Sequence, residues 1–378
     1  MNESTMATIR SWLATPMRAD VADAVERIRC APDVQHVAVM PDVHLASDTC
    51  IGVVIATSNL IYPQAVGGDI GCGMLAVAFN AQAAQLKNAR VANRVLVDLG
   101  RAIPPRRRNR NAIIVQPSEL STALTDVKLD AIRKKEGELE FATLGSGNHF
   151  IELQADDEDR LWLMVHSGSR ALGQAIRDHH LARATSLDGR LRALDARSDS
   201  GRAYLHDAAW ARRFAAASRV AMAKEAGNVL AKAIGAELCW ETLIETDHNH
   251  VACERHDDRD LWVHRKGSMR AQSGQLGVLP GSMGTASYHI EGRGNEDSLC
   301  SSAHGAGRSM SRARARSKVS ARDLREQMKN VWYDDRLTGQ LRDEAPSAYK
   351  DIRAVLRAQK DLVRVIRTMR PVLSYKGL

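Results

Sequence analysis

Apolar positions along this chain follow two rhythms. Short runs rich in β-branched residues, VQHVAVMPDVH (34–44), IGVVIAT (51–57) and MLAVAF (74–79), predict buried strands joined by loops. FIELQ (150–154) and LWLMVHSG (161–168) predict two more, separated by the acidic turn ADDEDR. Side chains alternate along a strand, so Trp162, Met164 and His166 share one face, and His166 stands at the strand's end where it can reach a site. By the same alternation His149 and Glu152 point to opposite faces. Residues 171–236 contain no proline and many alanines and arginines, which predicts long helices forming an arm or cap. Residues 345–370 predict another helix, with Pro346 near its first turn and Pro371 beyond its end. Strands interleaved with long helical stretches, without an internal repeat or a linker, predict an α+β fold. The expected architecture is one large mixed domain over residues 1–378, with central β-sheets flanked by helices and a long helical insertion.

Composition narrows the class. The chain has 378 residues, 44% of them hydrophobic and 26% charged, as expected of a globular protein. The first twenty residues hold no unbroken apolar stretch, and no run of about 18 apolar residues occurs, so neither secretion nor membrane spanning is expected and a cytoplasmic location is. Cys30, Cys50, Cys72, Cys239, Cys253 and Cys300 form no CxxC pair, which excludes a zinc ribbon and a small disulfide scaffold. The net charge of +8 concentrates in RAIPPRRRNR (101–110) and SMSRARARSKVSAR (309–322), segments that suit a polyanionic partner. Aromatic residues make up only 4%, so any nucleic acid would be held mainly by its phosphates.

Polar residues sit in glycine-rich segments more often than a stable core requires. Asp69 and Cys72 lie three apart in GGDIGCGM (67–74), where a carboxylate and a thiolate can converge on one metal ion. His149 and Glu152 occur in LGSGNHFIE (144–152), His166 in VHSGSR (165–170), and His248, Asn249 and His250 in TDHNHVACE (246–254). Mixed hard and soft donors of this kind suit one or two transition metals such as Mn, Zn or Fe, and suit Mg or Ca poorly. Neither HExxH nor the zinc-deaminase pattern is present. LPGSMGTASY (279–288) and SSAHGAGR (301–308) offer hydroxyl and backbone donors to a nucleotide phosphate, although there is no GxxxxGK[ST] loop. The nearest approach to the lysine nucleotidyl-transfer motif KxDG is KLDA (128–131). A covalently activated nucleotide would therefore use another nucleophile, and His304 is the natural substitute.

MPDVH, GGDIGCGM, LGSGNHFIE, VHSGSR, DHNH, VHRKG, LPGSMGTASY, SSAHGAGR, DEAPSAYKD and the final KG together resemble the RtcB family of GTP-dependent RNA ligases, in the family's order from Met40 to Gly377. The resemblance implies two manganese ions, one held by Asp69, Cys72 and His149, the other by Cys72, His166 and His248. It implies that His304 becomes guanylylated. Asn148, Glu152, Asn249, Pro280, Gly281, Ser282, Met283, Ser287, Gly305, Ala306, Gly307 and Lys376 would contact the guanylate, the glycines making room for GTP. The implied reaction joins RNA 3′-phosphate or 2′,3′-cyclic phosphate ends to 5′-hydroxyl ends, as in tRNA splicing or the repair of broken tRNA or rRNA, with residues 101–110 and 309–322 on RNA phosphates. The chain reads LASDTCIG after MPDVH, GGDIGCG for the family's GVDIGCG, and Ala303 where cysteine is common; the altered 45–50 loop bears on substrate preference. Two other readings stay open: a metal-dependent phosphoesterase for cyclic-phosphate RNA ends, and an RNA-binding module with structural metals.

Overall fold

The computed structural model describes residues 6–46, 49–187 and 191–377, so Ser47 and Asp48 of the divergent 45–50 loop lie outside the described residues. Among the described residues the strands build two large sheets and two small ones. The first runs in the order β1 (Thr8–Ser11), β2 (Val34–His44), β3 (Ile51–Thr57), β12 (Arg259–Lys266), β11 (Asn249–His256). The second runs β10 (Leu238–Asp247), β5 (Gly73–Gln82), β7 (Arg160–Ser167), β6 (Phe150–Ala155), β17 (Val363–Lys376), β15 (Ser287–Gly292), β14 (Leu276–Leu279). β13 (Ser268–Arg270) pairs with β16 (Ser301–Ala303), and β4 (Leu60–Ile61), β9 (Arg192–Asp195) and β8 (Thr185–Ser186) make a small ribbon. Mixed sheets and helices in this arrangement agree with the expected α+β class.

Period-two patterning decides which face each strand gives to the core. Leu75, Val77 and Phe79 of β5, Ile151 and Leu153 of β6, and Leu161, Leu163 and Val165 of β7 enter one apolar cluster under the helices. The alternate residues Met74, Ala76, Ala78, Trp162 and Met164 form a separate cluster on the opposite face. Registers Phe150↔His166, Glu152↔Met164 and Gln154↔Trp162 put these side chains on that second face. A third cluster joins Met40, Val54 and Val263 of the five-stranded sheet to Leu279, Tyr288 and Ile290 of β14 and β15. The site described below lies where the two sheets meet.

Helices α1 (Ala19–Arg29), α2 (Ala89–Ala102), α3 (Val127–Glu140), α4 (Arg170–Arg183) and α5 (Asp199–Ile234) cover the outer faces. In α2 the buried Ala92, Val95, Leu96 and Leu99 follow the helical repeat, and the Asn88 side chain accepts from the backbone N–H groups of Arg90 and Val91. Residues 171–236, expected as a helical arm or cap, contain α4 and α5 with β8 and β9 between them. The 36-residue α5 does not project. Tyr204, Trp210, Phe214, Met222 and Leu230 along its length are buried in the main core. Its ends follow the usual chemistry, with Ser198 capping the start and Gly235 in the left-handed region at the finish.

The expected helix over residues 345–370 is corrected by the structure. Only Ile352–Ala358 is α-helical there, and β17 begins at Val363. VRVIRTMR is rich in β-branched residues, and β17 is flanked by β15 through residue 369 and by β6 from residue 370 onward. Pro371 falls just past the last residue paired with β15, at a register shift against β6, where a missing N–H is tolerated.

Candidate active site

Loops and strand ends bring five of the candidate ligands together. Asp69 and Cys72 lie in the turn before β5, His149 precedes β6, His166 is near the end of β7, and His248 sits between β10 and β11. Asp69, Cys72 and His149 form one triad of donor atoms, and Cys72, His166 and His248 a second, each set within 4.8 Å. Cys72 belongs to both. Its Sγ is 3.4 Å from His149 Nε2 and 3.3 Å from His166 Nε2. His149 Nε2 also lies 2.9 Å from Asp69 Oδ2, and His166 Nε2 lies 3.3 Å from His248 Nε2. A Cβ on Gly168 would come within 2.1 Å of Asp69 Oδ1, which explains the glycine that follows His166-Ser167.

Backbone carbonyls set the tautomers of two of these rings. His149 Nδ1 donates to Leu144 O at 3.0 Å and His166 Nδ1 to Asn148 O at 3.1 Å, which leaves both Nε2 atoms as lone-pair donors aimed at Cys72. Burial, reinforced by neighbouring imidazoles, holds His166 and His248 well below the ordinary histidine range, so both rings are neutral. Burial pushes the Asp69 carboxyl up, but His149 outweighs it and holds the group at about 2. Burial and then Asp69 push the Cys72 thiol well above its ordinary value. Lone pairs and a carboxylate thus face one another in a buried space, an arrangement that a cation between them would relieve.

Behind this cluster α5 contributes Arg219, which is 1% exposed. Its Nη1 donates to Gly71 O and to Ser167 O, both at 2.8 Å, and its Nε donates to Glu245 at 3.1 Å. One guanidinium thereby ties the residue before Cys72 to the residue after His166. Asn249 braces the same turn: its Nδ2 donates to Asp69 O at 3.0 Å, and its Oδ1 accepts from Gly267 N at 2.8 Å.

A cavity of about 340 Å³ opens beside the cluster, within the usual range for small-ligand sites. Of the residues expected to contact a nucleotide, Asn148, Glu152, Pro280, Gly281, Ser282, Met283, Ser287, His304, Gly305, Ala306, Gly307 and Lys376 line it. Asn249 is not among the lining residues and holds the Asp69 turn. His304 connects cavity and cluster, its ring centroid 4.8 Å from that of His248. Its Nδ1 donates to Asp42 Oδ2 at 2.6 Å, and its backbone N–H lies 3.3 Å from the same oxygen. Asp42 is fully buried in β2, and Lys350 Nζ grips the backbone on either side of it, donating to Pro41 O and Val43 O. The glycines after His304 have a packing role beyond making room. Gly307 has φ +70, and a Cβ there would meet the Asp42 backbone at 2.5 Å; one on Gly305 would press on Pro280 at 3.2 Å.

The far wall is a charge hub that the sequence reading did not assign. Glu344, 2% exposed, receives Lys376, Arg312, Arg308 and the Tyr349 hydroxyl. Burial pushes Glu344 up, but Lys376 and Arg312 outweigh it and hold it at about 2. The basic segments divide. Arg106, Arg107 and Arg110 are exposed, whereas Arg108 is buried and donates to the carbonyls of Phe141, Ala102 and Ala142, so it is structural and not free for phosphates. In 309–322, Arg312 and Arg316 pair with Asp343, while Arg314, Lys318 and Arg322 are exposed.

Glu152 faces the cavity and accepts from Gln154 at 2.6 Å. Burial pushes its carboxyl up to about 8, against the pull of Gln154 and Lys376. Between its ordinary 4.5 and about 8, the folded chain keeps a proton that the unfolded chain releases, so this group lowers stability as pH rises across that window. Glu152→Gln removes the effect. The urea midpoint of the wild type is expected to fall between about pH 5 and about pH 8 relative to that of the variant. Parallel curves for the two proteins would contradict this.

Comparison with known proteins identifies relatives along most of the chain. The family model described as tRNA-splicing ligase RtcB matches residues 24–135 and 123–377. The chain is 36% identical to RNA-splicing ligase RtcB1 of Escherichia coli (strain ATCC 25922), over 98% of each chain. It is 30% identical to RNA-splicing ligase RtcB of Mycobacterium tuberculosis, over 89% of this chain and 96% of that one. It is 27% identical to tRNA-splicing ligase RtcB of Methanococcus maripaludis, over 96% and 92%.

Proposed function

The chain belongs to the RtcB family, and on that premise we propose that it is a GTP- and manganese-dependent RNA ligase. It would join 3′-phosphate or 2′,3′-cyclic phosphate RNA ends to 5′-hydroxyl ends through a guanylate carried on His304. One observation carries the reading: a histidine oriented by a buried carboxylate stands between a cavity of nucleotide size and a cluster of metal donors.

The donor chemistry fits the implied ions, because imidazoles, a thiol and a carboxylate converge in one buried space. Asp69, Cys72 and His149 would hold one manganese, and Cys72, His166 and His248 the other. Bound there, the ions supply Lewis-acid neutralisation of phosphate charge.

The chain's own residues supply the rest. Asp42 accepts a hydrogen bond from His304 Nδ1, which directs the Nε2 lone pair to serve as nucleophile. Nε2 bonds to the α-phosphorus of GTP, and the bond from that phosphorus to the bridging oxygen breaks, releasing pyrophosphate. Water opens a cyclic phosphate end to a 3′-phosphate. That 3′-phosphate takes the guanylate from His304, and a 5′-hydroxyl then displaces GMP and closes the strand. The Ser282 and Ser287 hydroxyls and the backbone N–H groups of Gly305 and Gly307 suit the nucleotide phosphates. Glu152, Lys376 and Asn148 are among the polar groups that face the space for the base and sugar. The exposed arginines at 106, 107, 110, 314 and 322 would hold the RNA backbone, a contact weakened by salt. No helix among the described residues is long and apolar enough to cross a membrane.

Incubation with GTP labelled at the α-phosphate and with manganese is expected to leave label on the protein. Adding RNA with 3′-phosphate and 5′-hydroxyl ends should discharge it and join the strands. Opening of cyclic phosphate without joining would instead identify a phosphoesterase. No label with any divalent metal removes the ligase reading.

A further inference from the structure

Away from the cavity lies another group of metal-ligating side chains. His256 closes β11, Glu296 begins the turn Glu296–Ser298, and Cys300 immediately precedes β16; their donor atoms fall within 4.8 Å of one another. His256 Nδ1 is 2.7 Å from Glu296 Oε2, and Cys300 Sγ is 3.4 Å from Glu296 Oε1. The other ring nitrogen, His256 Nε2, is 3.4 Å from Glu254 Oε2. Glu254 is committed elsewhere, receiving Arg265 at 2.5 and 2.9 Å and Arg270 at 2.9 Å. His256 and Cys300 are buried, whereas Glu296 is exposed. None of the three lines the cavity described above.

We propose that His256, Glu296 and Cys300 form a second, separate site for a borderline-soft divalent cation of the zinc class. The sulfur, nitrogen and oxygen donors match the set zinc accepts, and a thiolate favours zinc over manganese, magnesium or calcium. The ring is arranged as metal-bound histidines usually are: Nδ1 faces the other donors, while Nε2–H is directed at a carboxylate fixed by two arginines. One thiolate and one carboxylate balance a dication, and the Nδ1 and thiol protons pass to solvent on binding. Exposed Glu296 leaves the fourth position to water.

The backbone there is unusual as well. Leu299 and Cys300 both occupy the left-handed region, at φ 53 and 45, without being glycine. Non-glycine residues are strained in that region, so surrounding contacts must hold the turn. Arg265 donates to Leu299 O at 2.9 Å, and Cys300 N–H donates to Asn295 O at 2.9 Å. A cation on Cys300 would tie the end of β11 to β16, whose next residue is His304.

The full chain, loaded with zinc and freed of excess by gel filtration, tests this by mass-spectrometric metal counting. Wild type is expected to retain one zinc per chain more than Cys300→Ala. Glu296→Gln, an exposed change that does not endanger folding, should bind the extra zinc about 10-fold or more weakly. In a Cys72→Ala background, cobalt should still give a thiolate charge-transfer band that Cys300→Ala removes. Equal zinc content and equal zinc affinity in all three proteins would overturn the proposal, as would a cobalt band indifferent to Cys300. If Cys300→Ala fails to fold by circular dichroism, the Glu296→Gln titration decides alone.

Discussion

Replacing His304 by alanine is expected to abolish protein-bound guanylate, a loss of at least about 10⁴-fold, because no other nucleophile takes its place. Asp42→Asn should be nearly as severe, slowing guanylylation by about 10³- to 10⁴-fold. The carboxylate accepts from Nδ1 at 2.6 Å, whereas an amide can donate to Nδ1 and leave the proton on Nε2, where the attack must occur. Asp42 does not line the cavity, so GTP should bind the Asn variant within a few-fold of wild type. Quench-flow measurement of label transfer and equilibrium nucleotide binding separate the two effects. An Asp42→Asn protein that guanylylates at the wild-type rate would show that the carboxylate is structural only.

A stability loss of about 3–5 kcal/mol is expected for Arg219→Ala. The side chain is buried, and its removal strands two carbonyls, Gly71 O and Ser167 O, that have it as a donor at 2.8 Å. Glu245 is partly exposed and can turn to water, which keeps the cost from rising further. Thermal denaturation should shift down by about 4–6 °C, and metal content should fall with it, since the stranded carbonyls flank Cys72 and His166. Arg219→Lys keeps the charge but replaces a rigid fork with one ammonium, and should recover part of the loss. A decrease below about 1 kcal/mol for Arg219→Ala would contradict the assigned role.

Much of the site was legible because its chemistry is local in sequence. Asp69 with Cys72, and the alternation of Trp162, Met164 and His166, can be read from neighbours, and the structure brings these residues where that reading needs them. What escaped depends on distant partners. Asp42 reads as one acid in an apolar strand until His304, 262 positions away, is placed beside it. Glu344 gains its meaning from Lys376 and Arg312. Arg108 sits in a basic run like its neighbours, and only the carbonyls around it reveal a buried residue. Residues 363–370 read as helix because Arg364, Arg367 and Arg370 recur every third position; β6 and β15 decide the matter from outside. Asn249 also braces the Asp69 turn, and bracing is a role that residue type alone does not announce.

Among the described residues, β17 alone stands between β6 and β15 in the order of the larger sheet. Its partners come from residues 150–155 on one flank and 287–292 on the other, so closing the sheet requires joining segments far apart along the polymer. A nascent chain that has not yet inserted β17 would leave two open edges, each a template for pairing with a neighbour's strand. Such a protein should depend on chaperone shielding until the last of these pairings zips shut.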